Sequence, residues 1–127
     1  MSYDTIPGFD NLLLEDSFVV TIRASPARFE LRVQLVLLPH HPAYHRPLAG
    51  QQHCYVFGTI TFSRVTALTW TGQGGRPAQD ATGDLDWGGV DDLQATTDGW
   101  RLEGEWGVVT IATNDAPTVV LDNAEEP

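Results

Sequence analysis

The run RFELRVQLVLL, residues 28–38, places Phe29, Leu31, Val33, Leu35 and Leu37 at alternate positions, with Glu30, Arg32 and Gln34 between them. Successive side chains of an extended chain point to opposite sides, so this period of two specifies a strand with one dry face and one wet face. Val36 and Leu38 interrupt the polar set, so the far end of the strand is expected to be buried on both sides. A strand of this kind needs a second layer to cover its dry face, and the rest of the chain supplies strands rather than helices.

SFVVTIRAS reads as a preceding partner strand, with SPAR as a tight turn in which Pro26 presets φ. CYVFGTITFS and VTALTWT, rich in β-branched and aromatic residues, read as a second pair separated by Arg64 alone, with a bend or bulge there. In LQATTDGWRLEGEWGVVTIAT, Asp98-Gly99 suits a type I′ hairpin turn. Gly104 and Gly107 flank Trp106 and suggest a further reversal or bulge. NDAP is another turn, and TVVLD a last short strand. No stretch of ten or more residues carries a helical period, and the contiguous Leu12, Leu13 and Leu14 allow one turn at most. The expectation is one all-β domain over residues 1–127, with ends fraying at about 1–10 and 123–127. It takes the form of an antiparallel meander of about eight strands, folded as a β-sandwich or a strongly curved sheet (half-barrel), with little or no helix.

Charge narrows the function classes. Seven arginines and no lysine stand against 17 acids, for a formal charge of −10. Residues 1–63 carry five acids and four bases, and residues 64–127 carry 12 and three, so the acidity sits in the second half. Phosphate backbones and anionic lipid repel such a chain, which argues against nucleic acid and membrane and for a basic protein partner; solubility is the plainer reading of the same charge. Without lysine there is no P-loop, Schiff base or lysine general base. The single Cys54 cannot form an internal disulfide, and the first ten residues have no signal-peptide pattern, so the reading is cytoplasmic.

Two long connections remain, and long connections are where function concentrates. Residues 39–52 hold His40, His41 and His45, and His53 and Cys54 follow directly. His41, His45 and His53 are the candidate metal ligands, zinc being the metal that imidazole and thiolate suit. Pro42 and Pro47 oppose the helix that an H-x₃-H pair needs, and His53 and Cys54 diverge if they start a strand. The favoured reading is therefore an extended proline-rich loop without cofactor, and a buried structural thiol for Cys54. No serine lies in a G-x-S-x-G elbow, so no catalytic residue is assigned and the reading leans away from an enzyme.

The second connection, residues 72–89, leads through DATGDLDWGGVDD. Asp84-x-Asp86-x-Gly88 begins like a calcium loop, but Gly88 replaces the third ligand and Ala95 the closing glutamate. Trp87 among Asp84, Asp86, Asp91 and Asp92 suits an interface instead, an aromatic anchor with surrounding charge that steers a basic partner. A small-molecule site in the curve of the sheet is a further alternative.

Four stretches, LLLEDSFVVTIRAS, GTITFSRVTALTW, ATGDLDWGGVDDL and WRLEGEWGVVTI, resemble a group of small bacterial β-rich proteins of unknown function, loosely similar to the immunity protein 50-like families of polymorphic-toxin systems. The family's F-x-x-V strand corresponds to Phe62–Val65, and its L-x-G-x-W-G strand to Leu102–Gly107. Glu15 stands where the family's His-Asp motif has histidine, before Asp16. The resemblance implies an all-β fold and an immunity-type inhibitor that binds a protein, and it carries over no catalytic residue; the two edge strands that a meander leaves allow either a monomer or a homodimer.

Overall fold

The computed structural model describes residues 3–72, 78–79, 85–86 and 88–122. Among the described residues ten strands form, all paired antiparallel: β1 (Phe18–Ser25), β2 (Arg28–Leu37), β3 (Cys54–Ser63), β4 (Ala67–Thr71), β5 (Ala78–Gln79), β6 (Leu85–Asp86), β7 (Asp92–Ala95), β8 (Gly99–Gly104), β9 (Gly107–Ala112) and β10 (Thr118–Leu121). The first sheet has the order β1-β2-β3-β10 and the second β4-β9-β8-β7; β5 and β6 pair with each other. The all-β expectation holds, and of the two forms it left open the sandwich is the one adopted.

The alternation in β2 works as the sequence implies. Phe29, Leu31, Val33, Leu35 and Leu37 are buried, and their cross-strand partners Phe62, Ile60, Gly58, Val56 and Cys54 lie on the same side. Across the sandwich they meet Leu93, Leu102, Val109 and Ile111 of the second sheet in one hydrophobic core. Trp70 closes edge-on against Phe29 with ring centroids 6.0 Å apart. Val36 is buried on the other side of β2, as its break in the polar face implies, and its N–H is bound by the Ser17 hydroxyl at 2.9 Å.

The chain order differs from a meander. β3 and β4 do not form a hairpin, because the chain crosses between sheets at Arg64, which adopts φ 52°. That conformation is sterically disfavoured for a side-chain-bearing residue, and the crossing is fixed by Val65 N–H to Ala27 O (3.0 Å) and Thr66 N–H to Ala112 O (2.8 Å). The return at Asn114–Pro117 inserts β10 beside β3, while β4 pairs with β9. The β7–β8 reversal is also not a type I′ turn on Asp98-Gly99, since Thr96 N–H bonds Gly99 O at 2.8 Å, which centres the turn on Thr97-Asp98, and neither of those residues has positive φ. Gly99 is needed for another reason: a Cβ there would collide with the carbonyl oxygen of Ile111. The SPAR turn forms as expected, with Ala27 at φ 64° after Pro26.

Within the N-terminal segment expected to fray, Ile6 and Phe9 instead lie in the core. One helical turn forms at Leu14–Asp16, and the Tyr3 hydroxyl ties the segment down by accepting the Leu14 N–H at 3.0 Å. Residues 123–127 lie outside the described residues. Among the described residues no helix is long and apolar enough to cross a membrane.

Candidate interaction surface

The two outer faces of the sandwich follow from strand register. On the first sheet, one row across the strands reads Phe18, Gln34, Phe57; the next reads Thr21, Arg32, Thr59, Val120; and the next Arg23, Glu30, Thr61, Thr118. A bulge in β1 between Val19 and Thr21 adds Val20 at the edge. Among the described residues five large hydrophobic side chains are exposed, and four of them, Phe18, Val20, Phe57 and Val120, lie on this face. Val120 is 61% exposed and Phe57 42%.

The charges there are organised. Arg32 grips Asp122 with two hydrogen bonds, Nη1 to Oδ1 at 2.6 Å and Nη2 to Oδ2. Those bonds lower the Asp122 pKa and raise that of Arg32; partial desolvation works against both shifts and charge attraction adds to them. The same guanidinium lies 5.3 Å from the Phe57 ring centroid, so the ring is held beside a cation. Phe18 packs on Tyr55 at 6.0 Å, and Tyr55 on the edge of His53 at 5.9 Å. Arg28 pairs with Glu30 at 3.3 Å. Between these rows a shallow groove of about 360 Å³ is lined by Val20, Thr21, Arg23, Glu30, Arg32 and Thr59.

Contiguous exposed apolar surface rimmed by polar groups marks interaction sites, and aromatic residues with arginine are the side chains that carry interface energy. Sequence reasoning passed over this surface. CYVFGTITF is apolar on both sides, which reads as a strand buried on both faces, whereas only one side of β3 is covered. The available signal was that Tyr55 and Phe57 share a parity opposite to the buried Cys54, Ile60 and Phe62.

The residues singled out from sequence fall elsewhere. Trp87 and Asp84 lie outside the described residues; Asp86 pairs through its backbone with Ala78 in the β5–β6 ribbon. Asp91 is exposed, and its N–H bonds the Glu103 carbonyl at 2.8 Å. Asp92 on β7 accepts from Gln94 Nε2 at 3.2 Å and lies 3.6 Å from Arg101. The acidic stretch is anchored at its end, where the Gly88 carbonyl accepts the Val19 N–H at 2.8 Å, between Phe18 and Val20.

The histidines are employed one by one. His41 Nδ1 accepts the Ala43 N–H at 3.0 Å, and His45 Nδ1 lies 2.9 Å from the Arg46 carbonyl oxygen. His53 Nε2 is 3.9 Å from Asp16 Oδ2. Among the described residues no three of His, Cys, Asp and Glu gather as a metal-binding group, so the structure does not bring His41, His45 and His53 together for zinc. Cys54 is buried, and its sulfur accepts the His45 N–H at 3.4 Å, which is the structural thiol expected. Ser17 is buried as well, its hydroxyl spent on Leu13 O and Val36 N–H. The polar cleft of about 510 Å³ at one end of the sandwich gathers Arg64, Asp98, Asn114 and Asp115, with Arg64 Nε 3.2 Å from Asp115. Comparison with protein-family models, with curated proteins and with solved structures finds no match for this chain.

Proposed function

We propose that the protein is a non-catalytic protein-binding module that docks through the outer face of its first sheet. The observation that carries this reading is the placement there of four of the five exposed large hydrophobic side chains among the described residues. Apolar side chains left on one face of a sandwich gain by being covered, at roughly 25 cal/mol per Å² removed from water.

The charge of the whole chain selects the partner. A formal charge of −10 attracts a basic protein over distances of about a Debye length, and the apolar face then supplies the short-range adhesion. The acidic stretch with Asp84, Asp86, Asp91 and Asp92 is the steering element in this account, and Trp87 within it is an aromatic anchor. The stretch joins the face at the bond from Val19 to Gly88. An immunity-type inhibitor in the bacterial cytoplasm, covering a basic toxin, is the form that the family resemblance gives to this reading.

Capture of partners from a lysate of the native host tests it, with wild type compared against a Phe57→Glu, Val120→Glu double variant. The wild type retains a basic protein that the folded double variant loses. Retention of the same proteins by both would move the interface off this face. Trp87→Ala, which changes no charge, then tests anchoring, and Asp91→Asn with Asp92→Asn tests steering, whose loss slows formation but leaves the complex intact.

A further inference from the structure

We infer that the same face also accepts a second copy of the chain, in a two-fold dimer in which the aromatic end of each face sits over the grooved end of the other. The inference rests on the docking-face reading above and adds the identity of one occupant.

A two-fold interface requires a patch that carries both halves of its own contact, so that residue i of one copy meets j of the other and j meets i. This face has both. At one end Phe18 and Phe57 protrude. About four residues along the strands, or roughly 13 Å at 3.3 Å per residue, the groove edge is formed by Arg23 and Glu30. A two-fold axis across the strands, passing through the row Thr21, Arg32, Thr59 and Val120, reverses the strand direction. It carries the Phe18 and Phe57 end of one copy onto the Arg23 and Glu30 end of the other, twice. Arg23 is exposed, and no ion pair holds it among the described residues, so its guanidinium is available to an aromatic ring from above. Val120 and Arg32 each meet their own counterparts near the axis, and each Arg32 charge is offset by the Asp122 of its own copy.

Electrostatics favours this face over the outer face of the second sheet, where Arg101 stands against both Asp92 and Glu103. Two chains of charge −10 repel, so self-association requires contact where like charge is least. Arg23, Arg28 and Arg32 against Glu30 and Asp122 leave this face one positive charge. The area sets the strength. The eight, ten, ten and four residues of β1, β2, β3 and β10, at spacings of about 3.3 and 4.8 Å, give a footprint of roughly 500 Å². That is below the roughly 800 Å² per partner of a standard stable interface, so the dimer is a weak one that a better partner displaces.

Sedimentation velocity on the full chain, from about 5 µM to about 500 µM, reads the result. The expected outcome is a concentration-dependent shift from monomer to dimer that becomes stronger as salt is raised, because screening removes the repulsion. Phe57→Ser, which removes a protrusion, and Arg23→Glu, which alters the groove, each weaken association at least about tenfold. Thr110→Arg on the opposite face does not. Mixing the two defective variants restores part of the association, since the intact aromatic end of one meets the intact groove of the other. Urea midpoints matching wild type establish that both variants are folded. A chain monomeric at every concentration and salt overturns the second copy while leaving the docking face to the capture experiment. Dimers indifferent to both variants, or a mixture with no recovery, overturn this two-fold arrangement.

Discussion

The two sheets of the sandwich are alike inside and unlike outside. Inward, each presents aliphatic and aromatic residues to one core, Phe29, Leu31, Ile60 and Phe62 from the first and Leu93, Leu102, Val109 and Ile111 from the second. Outward, the second sheet shows Thr69, Thr71 and Thr110, with Arg101 held between Asp92 at 3.6 Å and Glu103 at 3.1 Å. Among the described residues, none of the exposed large hydrophobic side chains lies on it. The first sheet shows Phe18, Val20, Phe57 and Val120. Folding needs only the inner faces to be apolar, so the polar outer face of the second sheet is the ordinary condition of a sandwich in water. Apolar residues on the outer face of the first sheet add nothing to that core, and their placement there is the observation behind the contact proposed for this face.

The comparison breaks first if the inner faces prove unequal. Phe29 and Ile111 are both fully buried, one from each sheet. Phe29→Ala is expected to cost about 3–5 kcal/mol and Ile111→Ala about 2–5 kcal/mol in urea unfolding. Phe29 loses more, because it also forfeits its contacts with Phe62 at 6.3 Å and Trp70 at 6.0 Å. If one substitution cost less than about 1 kcal/mol, that sheet would not share the core, and the asymmetry would begin inside the molecule.

The two hairpin turns sharpen the comparison next, with effects of opposite sign. In the second sheet Gly99 cannot take a side chain without striking Ile111 O, so Gly99→Ala is expected to destabilise by about 2–3 kcal/mol. In the first sheet Ala27 stands at φ 64°, where glycine is the better residue. Relief of that strain, less the greater freedom of glycine in the unfolded chain, leaves Ala27→Gly stabilising by about 0.5–1 kcal/mol. Thermal melts of the two variants against wild type check both signs.

What the sequence made legible follows the same division. Burial by alternation was readable for Phe29 through Leu37, because covering one side of a strand forces a period of two whatever the neighbour is. The neighbour itself was not readable. Nothing in SRVTA marks Arg64 as a residue with positive φ, so the crossing between sheets looked like the bend of a hairpin. Ile6 and Phe9 reached the core through contacts distant in sequence, with no local pattern to announce them. The exposed apolar face was hidden for a related reason: an apolar residue on a strand shows its preference for cover, and the sequence does not say whether that cover comes from the same chain or another. The metal reading of His41, His45 and His53 weighed spacing along the chain, whereas separate partners, the Ala43 N–H, the Arg46 carbonyl and Asp16, engage the three rings.

The finest distinction between the outer faces lies in their ion pairs. Asp122 depends on a single arginine, Arg32, whose hydrogen bonds hold its pKa below the ordinary aspartate value. A carboxylate lowered in the folded state contributes stability at pH values above its unfolded pKa, about 3.9, and loses it as pH falls through the lower folded value. Asp122→Asn is therefore expected to lower the urea midpoint at neutral pH and to converge with wild type in acid, once the wild-type carboxyl is protonated. On the second sheet Arg101 has both Asp92 and Glu103, so Asp92→Asn leaves it a partner and shifts the neutral-pH midpoint less. Urea midpoints for the three proteins, measured from neutral pH down to about pH 2, make the comparison. An Asp122→Asn curve parallel to wild type throughout would mean that the Arg32 pair adds nothing to folding. Its remaining role would then be to hold the guanidinium beside Phe57, which makes it part of the contact surface rather than of the scaffold.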